Sequence, residues 1–206
     1  IFKNKIIFFT GYQLLEHEKI SFLKKQINKE KVLSFNFQVG HDLNKWREGK
    51  YKKNRYFLDK NKGGGVIFEL IHEVNLAQQL FGEIKSIKTF KKSSINKKFE
   101  DLAVSIIKMK NNIIGSLHQD MISPKYYRNL KILTRKKLYD LDIPNNTLKI
   151  NNKFYKIDTK KNSHQNLLKK NMLLFIGLIR RKKNTLKYFN QSVSDLNIAI
   201  RMHRGY

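Results

Sequence analysis

The sequence predicts an α+β domain in which an open, mostly antiparallel sheet carries helices packed on one face. Three observations predict it: a cleanly alternating segment at residues 30–40, a run of strand-like segments with Asn-rich turns across residues 101–158, and helical spacing of apolar residues around both. The chain has 206 residues, of which 40% are hydrophobic, so it can bury a sizeable core. It has no cysteine, which excludes disulfides and thiolate metal sites.

The elements of the first half follow from their local patterns. Residues 5–12 form a β-rich run ending in glycine, which predicts a buried strand entering a turn. Apolar residues spaced across 14–27 predict an amphipathic helix. In residues 30–40 apolar and polar side chains alternate, which indicates a strand with one buried face. Residues 41–62 are polar, charged and aromatic and predict a long loop.

The second half continues with one helix, several hairpins and two closing helices. Asparagine tolerates the backbone conformations of tight turns, so turns are expected at 111–112 and 144–146. Asp195 is expected near the start of the last helix, where it suits the helix dipole. The predicted elements are a helix at 67–81, strands at 101–110 and 112–122, further strands within 128–142 and 146–158, and helices at 164–181 and 192–202.

The formal charge of +27 admits two interpretations. It is typical of nucleic-acid binding or attraction to an anionic partner. It also fits compositional drift, which spreads lysine over every surface, and here lysine runs from Lys3 to Lys187 without a nucleic-acid-binding motif. Drift is favoured, and an anionic substrate or nucleic acid remains the alternative. The longest apolar run, residues 172–179, is far short of the ~20 residues of a membrane span, so no membrane partner is expected.

The segment Gly63–Glu83, "GGGVIFELIHEVNLAQQLFGE", carries the clearest chemical signal. On a continuous helix Glu69, His72 and Asn75 would follow one another at three-residue intervals beside an apolar stripe. If that side lines a cleft, Glu69 could orient His72, and His72 could exchange a proton near neutral pH. The alternative is a chance pair on a solvated helix. The three glycines allow close approach of a backbone or ligand, or form a simple hinge.

Other catalytic signatures are absent from the sequence. There is no G-x-G-x-x-G, no P-loop motif and no H-E-x-x-H, so no dinucleotide fingerprint and no metal site is predicted. His118 and Asp120 share one face of an alternating segment and are interpreted as a solvated face rather than as metal ligands.

Several segments together resemble the C-terminal domain of the glucose-fructose oxidoreductase / inositol dehydrogenase (Gfo/Idh/MocA) family, and the resemblance covers nearly the whole chain. The matching parts are "TGYQLLEH" at 10–17, the pair Trp46–Arg47, the glycine–His–"LFG" stretch, "SPKYYRNLKI" with Arg128, and two closing helices. In that family an N-terminal Rossmann domain binds NAD(P), and the C-terminal α+β domain supplies an open antiparallel sheet. The glycine–His–"LFG" stretch is the most specific part.

The resemblance implies an oxidoreductase that acts on a hydroxyl of a sugar or nucleotide-sugar. His72 would be the acid/base residue and Glu69 would assist it. NAD or NADP would be bound mainly by the preceding domain. A homo-oligomer formed through the sheet and a cytoplasmic location are expected. The substrate would be held by Gln13, Trp46, Arg47, Asn75, Tyr127 and Arg128.

The sequence also departs from the family pattern. Glu69 and Asn75 stand where the family has Asp, and Leu15 and Glu16 stand where it has an arginine and an aromatic residue. The family's Glu-Lys-Pro lysine and glycine fingerprint would precede residue 1. Residues 1–12 are therefore interpreted as the last strand of a Rossmann domain with its crossover, and 13–206 as the C-terminal domain, inactive alone. The alternative is a non-catalytic relative that uses the sheet for partner binding or self-association.

Overall fold

The computed structural model describes residues 6–46, 56–95, 97–156, 163–181 and 183–205. One eight-stranded sheet has the strand order β2-β3-β4-β1-β5-β6-β7-β8. The strands are β1 (Val32–Asp42), β2 (Ile84–Lys92), β3 (Leu102–Met109), β4 (Ile114–Asp120), β5 (Ile122–Thr134), β6 (Leu138–Asp142), β7 (Thr147–Ile150) and β8 (Lys153–Tyr155). The α-helices are α1 (Glu18–Ile27), α2 (Leu43–Trp46), α3 (Val66–Glu69), α4 (His72–Phe81), α5 (His164–Arg180) and α6 (Leu186–Arg204).

The sheet confirms the predicted fold class, since its neighbouring strands are antiparallel except for β1 and β4, which run parallel. One face is covered by helices: α6 packs on β2, α3 on β3 and β4, and α4 on β1. Beneath them Phe37, Leu117 and Leu130, which are opposite one another in register, are fully buried. The other face exposes Ile106, Ile114 and Leu133. We call this second surface the open face.

The Asn-containing turns form as predicted. Asn112 between β3 and β4 has a φ of 67°, and Asn146 between β6 and β7 has a φ of 49°. Asparagine adopts this left-handed conformation at little cost, so each turn can reverse the chain tightly.

The N-terminal run predicted as a strand is not one in its described residues 6–12. Its groups bond and pack to helices instead of to a strand edge. The Phe8 amide donates to Oγ1 of Thr185 at 2.9 Å, and the Phe9 ring stacks on Phe175 at 5.4 Å. The segment therefore lies against α5 and α6.

Two predicted helices are interrupted. The helix expected over 14–27 begins as a 3-10 turn at Gln13–Glu16 and restarts as α1, because His17 adopts an extended conformation and caps the new helix. The helix expected over 67–81 breaks at Leu70, whose ψ of 38° ends α3 before α4 starts at His72.

The last helix starts six residues earlier than the predicted residue 192, at Leu186. Asp195 therefore lies in the middle of α6 and is fully buried, so the prediction of a dipole-stabilising residue at the helix start is wrong. Among the described residues, no helix combines the length and the apolar character needed to cross a membrane.

Candidate active site

A cavity of about 750 Å³ opens beside the sheet, between the start of α4, strand β5 and the start of α5. This volume is in the range of small-molecule binding sites. Its lining mixes amides, three histidines, one arginine and one carboxylate with apolar side chains. The lining residues are Gln13, Leu14, His41, Glu69, Leu70, His72, Tyr126, Arg128, Ile143, Pro144, Asn145, Asn146, Ser163, His164 and Leu167.

His72 is the first residue of α4 and opens into this cavity. Its Nδ1 is buried and has no hydrogen-bond partner. Burial, and then the charges of Arg128 and His164, lower the pKa of His72 to about 4. The imidazole is therefore neutral at physiological pH, so it can accept a proton.

Glu69 also lines the cavity, but from α3, on the other side of the helix break. The expected Glu69–His72–Asn75 ladder on one continuous helix is therefore wrong. Glu69 does not hydrogen-bond to Nδ1 of His72, since that nitrogen has no partner. The side chains of Glu69 and His72 both line the cavity, so each can contact a ligand bound there.

Arg128 lines the cavity from β5, and a buried carboxylate lies behind it. Its Nε is 2.8 Å from Oε1 of Glu73, and the two side chains are 8% and 0% exposed. The contact is an ion pair without hydrogen-bond geometry at these atoms. Burial raises the pKa of Glu73, while the charge of Arg128 opposes that rise. A buried guanidinium held in this way presents a fixed positive charge to the cavity.

The sequence comparison decides the family. A sequence model described as the GFO/IDH/MocA C-terminal domain matches residues 31–138, which is more than half of the chain. The chain belongs to the GFO/IDH/MocA family. No curated protein sequence matched it.

Solved structures share the fold of this GFO/IDH/MocA chain. UDP-N-acetylglucosamine 3-dehydrogenase GnnA from Acidithiobacillus ferrooxidans is 17% identical with a TM-score of 0.73, over 95% of this chain and 60% of GnnA. Levoglucosan dehydrogenase, in a complex with NADH and L-sorbose, is 13% identical with a TM-score of 0.79, over 98% of this chain and 65% of that one. The WlbA dehydrogenase from Bordetella pertussis, in a complex with NADH and UDP-GlcNAcA, is 15% identical with a TM-score of 0.72, over 94% of this chain and 60% of WlbA. The chain thus spans less than two thirds of these relatives.

The structure brings together some of the residues that the family resemblance assigned to the substrate. Gln13 and Arg128 line the cavity with His72 and Glu69. Asn75 does not, because its Nδ2 donates to Oδ2 of Asp195 at 2.8 Å on the side of α6. Tyr127 does not either, because its hydroxyl donates to Oδ2 of Asp120 at 2.5 Å, where His118 also contacts this carboxylate. The Trp46 side chain and Arg47 lie outside the described part of the structure.

Polar residues that the sequence did not assign also line the cavity: His41, Tyr126, Asn145, Asn146, Ser163 and His164. The rings of His41 and Tyr126 stack at 4.2 Å, and burial followed by the charge of Arg128 lowers the pKa of His41 to about 4. No local pattern points to these residues, since they come from separate elements. The antiparallel pairing of β1 with β5, which sets Gly40 opposite Tyr127, brings the adjacent His41 and Tyr126 together.

The triple glycine of this family stretch packs against protein rather than a ligand. The amides of Gly64, Gly65 and Val66 donate to the carbonyls of Asp59, Phe57 and Glu100 at 2.9–3.0 Å. A Cβ on Gly64 would overlap the backbone of residues 56–57, and one on Gly65 would overlap the Glu100 carboxylate. Of the alternatives left open for the glycines, the structure shows the close approach of a backbone, at Gly64. Because its amides are already bonded, this loop does not fit the diphosphate of a dinucleotide.

Proposed function

We propose that this chain forms the substrate-binding and acid/base part of an NAD(P)-dependent oxidoreductase that acts on a hydroxyl of a sugar or nucleotide-sugar. The observation that carries the proposal is the position of His72, whose imidazole lines a sugar-sized cavity and is neutral at physiological pH. Membership of the GFO/IDH/MocA family supports the reaction class. The dehydrogenases of similar fold are named for sugars and nucleotide-sugars, which supports the substrate class.

Oxidation of an alcohol removes a hydride from carbon and a proton from oxygen. This chain's residues account for the proton, which passes from the substrate hydroxyl to His72 acting as general base. A base with a pKa of about 4 is weak in the empty cavity. An anionic group of the substrate that pairs with Arg128 would offset the positive charge of the guanidinium. The pKa of His72 would then rise, and the imidazole would become a stronger base.

The remaining polar wall suits a carbohydrate. Glu69 accepts hydrogen bonds, while Gln13, Asn145 and Asn146 can both donate and accept them, which is what sugar hydroxyls require. Arg128 can pair with a carboxylate or phosphate in a bidentate manner. A nicotinamide cofactor would take the hydride, and we assign no described residue to it because the glycine loop does not fit it.

The test is His72→Ala in the full-length gene product. With NAD and NADP as acceptors and UDP-N-acetylglucosamine and levoglucosan as trial substrates, NADH or NADPH absorbance gives the turnover. We expect turnover to fall at least ~100-fold, as expected for the loss of a general base. The matched control is His118→Ala, which removes a histidine outside the cavity. Equal turnover of the two variants would remove His72 from the mechanism.

We also propose that the protein self-associates through the open face. Ile106, Ile114 and Leu133 are 52%, 55% and 43% exposed there, on β3, β4 and β5, with β1 between β4 and β5. Exposed apolar groups on one surface are typical of protein interfaces.

A further inference from the structure

Asp195 is a buried carboxylate that the proposed reaction does not use. It lies in the middle of α6 and is 0% exposed. Its hydrogen-bond donors are neutral: Asn75 Nδ2 at 2.8 Å, Gln78 Nε2 at 2.7 Å and Gln191 Nε2 at 2.9 Å. The hydroxyl of Tyr12 is a fourth donor.

A buried carboxyl group, even with neutral donors around it, is costly compared with an apolar side chain of similar size. Such a group is retained in some proteins because it fixes one arrangement of its partners. Here the partners come from three separate parts of the chain: the segment before the 3-10 turn, helix α4 and helix α6. The carboxylate therefore joins Tyr12 to α4 and α6 through hydrogen bonds.

Tyr12 connects this network to the candidate active site. Its ring meets the imidazole of His72 edge-to-face, with ring centroids 5.7 Å apart and an interplanar angle of 78°. The residue is 9% exposed. It also lines a second cavity of about 230 Å³, shared with Asn75 and Gln191, and does not line the larger one. Tyr12 thus stands between His72 and the second cavity.

We propose that Asp195 is a positioning residue that anchors the Tyr12 hydroxyl and thereby holds the Tyr12 ring against His72, so that the imidazole is shielded on that side and faces the larger cavity. The functional meaning of this arrangement rests on the proposed role of His72 as the base. The anchoring itself follows from the four hydrogen bonds and the ring contact alone.

The environment of His72 makes the anchoring measurable. The groups around it are Arg128 from β5, His164 from α5, Glu69 from α3 and the Tyr12 ring. Burial is the largest cause of its low pKa. Loss of the ring's fixed position admits water to the imidazole, so the pKa of His72 rises from about 4 toward the ordinary 6.5.

The experiment is an NMR titration of the His72 ring in the 206-residue chain, for Tyr12→Phe, Asp195→Asn and the double variant. Tyr12→Phe removes only the anchoring hydroxyl. In Asp195→Asn the new amide cannot accept from all four donors. We expect each single variant to raise the pKa of His72, and we expect the double variant to add nothing to the larger single effect, because both changes break one contact.

The matched control is Asp101→Asn. Asp101 is also 0% exposed and accepts hydrogen bonds from Ser94 and Ile95, on a loop that does not include Tyr12. The Asp101→Asn variant should lower the stability of the protein while leaving the pKa of His72 unchanged. The proposal is overturned if Tyr12→Phe leaves the titration unchanged, or if Asp101→Asn moves it as far as Asp195→Asn does. If Asp195→Asn fails to fold, Tyr12→Phe still decides.

This experiment needs neither substrate nor cofactor, so its failure and that of the proposed function are distinct. A moved titration together with full turnover in His72→Ala would keep the anchoring and remove the catalytic role. If the Tyr12→Phe and Asp195→Asn variants leave the His72 titration unchanged while His72→Ala loses turnover, the catalytic role of His72 stands and the anchoring is overturned.

Discussion

Arg128 and Glu73 illustrate how one residue pair sets the electrostatics of the cavity. The guanidinium lowers the pKa of both His72 and His41, although burial is the larger cause for each. Glu73 forms an ion pair with Arg128 but does not itself line the cavity. Arg128 therefore offers the cavity a guanidinium that can pair with an anionic or strongly polar group of a substrate.

Glu30 gives a prediction for stability against pH. Its carboxylate accepts hydrogen bonds from Thr134 Oγ1 at 2.6 Å, Lys137 Nζ at 2.8 Å and the Tyr139 hydroxyl at 2.8 Å. Burial pushes its pKa up, but these bonds and the Lys137 charge outweigh burial and lower the pKa to about 2. Because the folded value lies below the ordinary 4.5, the stabilisation is complete above pH 4.5 and is lost as the pH falls toward 2.

We therefore expect Glu30→Gln to lower the free energy of unfolding by about 1–2 kcal/mol at neutral pH, with the loss shrinking as acid is added. Urea unfolding at a series of pH values measures it. The control is Glu83→Gln, whose carboxylate is 71% exposed in a surface ion pair with Lys110. That variant should change stability by less than about 1 kcal/mol. A pH-independent loss in Glu30→Gln would contradict the assignment.

At this scale the sequence predicted His72, Arg128 and Gln13 through the family resemblance, and the structure places all three on the cavity. It did not predict that Glu73 would support Arg128, because these residues are far apart in the chain and meet only when α4 packs on the sheet. Asn75 and Tyr127 each carry a side chain suited to a sugar. Asn75 is instead oriented by its hydrogen bond to Asp195, and Tyr127 by its hydrogen bond to Asp120. The spacing of residues in the sequence does not predict such contacts.

At the scale of elements, the break between α3 and α4 determines which groups reach the cavity. A helical wheel assumes a constant rotation per residue, and Leu70 departs from it with a φ of −108° and a ψ of 38°. The strands, by contrast, were predictable because alternation in β1 and the hairpin turns are local signals. The break between α3 and α4 was not predictable, since leucine is a good helix former and nothing at Leu70 signals the end of a helix.

Gly65 provides the prediction for this connection. It has a φ of 113°, and a Cβ there would overlap the Glu100 carboxylate. We expect Gly65→Ala to lower the free energy of unfolding by about 1–3 kcal/mol or more, from backbone strain and the clash together. Denaturant unfolding measures the change.

The neighbouring Gly63 is the matched control. It has a φ of 78°, but a Cβ there would meet nothing within 4 Å. Gly63→Ala should cost only the left-handed backbone penalty, about 1 kcal/mol. Equal losses in the two variants would show that Glu100 can move aside and that the loop is not tightly packed.

At the scale of the whole molecule, the described lysines behind the net charge of +27 are spread over helices and strands. Exposed lysines occur on α1 and α5 as well as on β2 and on the open face of β5, for example Lys24, Lys88, Lys131 and Lys169. Within the described residues this scatter favours compositional drift over a nucleic-acid-binding stripe.

The open face gives the prediction at this scale. If copies of the chain meet there, Ile114→Asp places an uncompensated carboxylate in the interface and should shift the protein to monomers. Sedimentation equilibrium measures the mass. The control is Ile95→Asp, since Ile95 is 54% exposed but follows β2 in a loop. A parent protein that is monomeric at all concentrations, or an Ile114→Asp variant of unchanged mass, would contradict the proposal.

The single parallel pair in the sheet has a consequence for how the chain reaches this state. Strand β1 gains its partner β4 only across a separation of about 80 residues, as between Asn36 and Ser116. Contacts this remote in sequence slow the search for the native topology. During synthesis β1 has no strand partner on either edge until the ribosome has released β4 and then β5, so a chaperone can bind the unpaired strand in that interval.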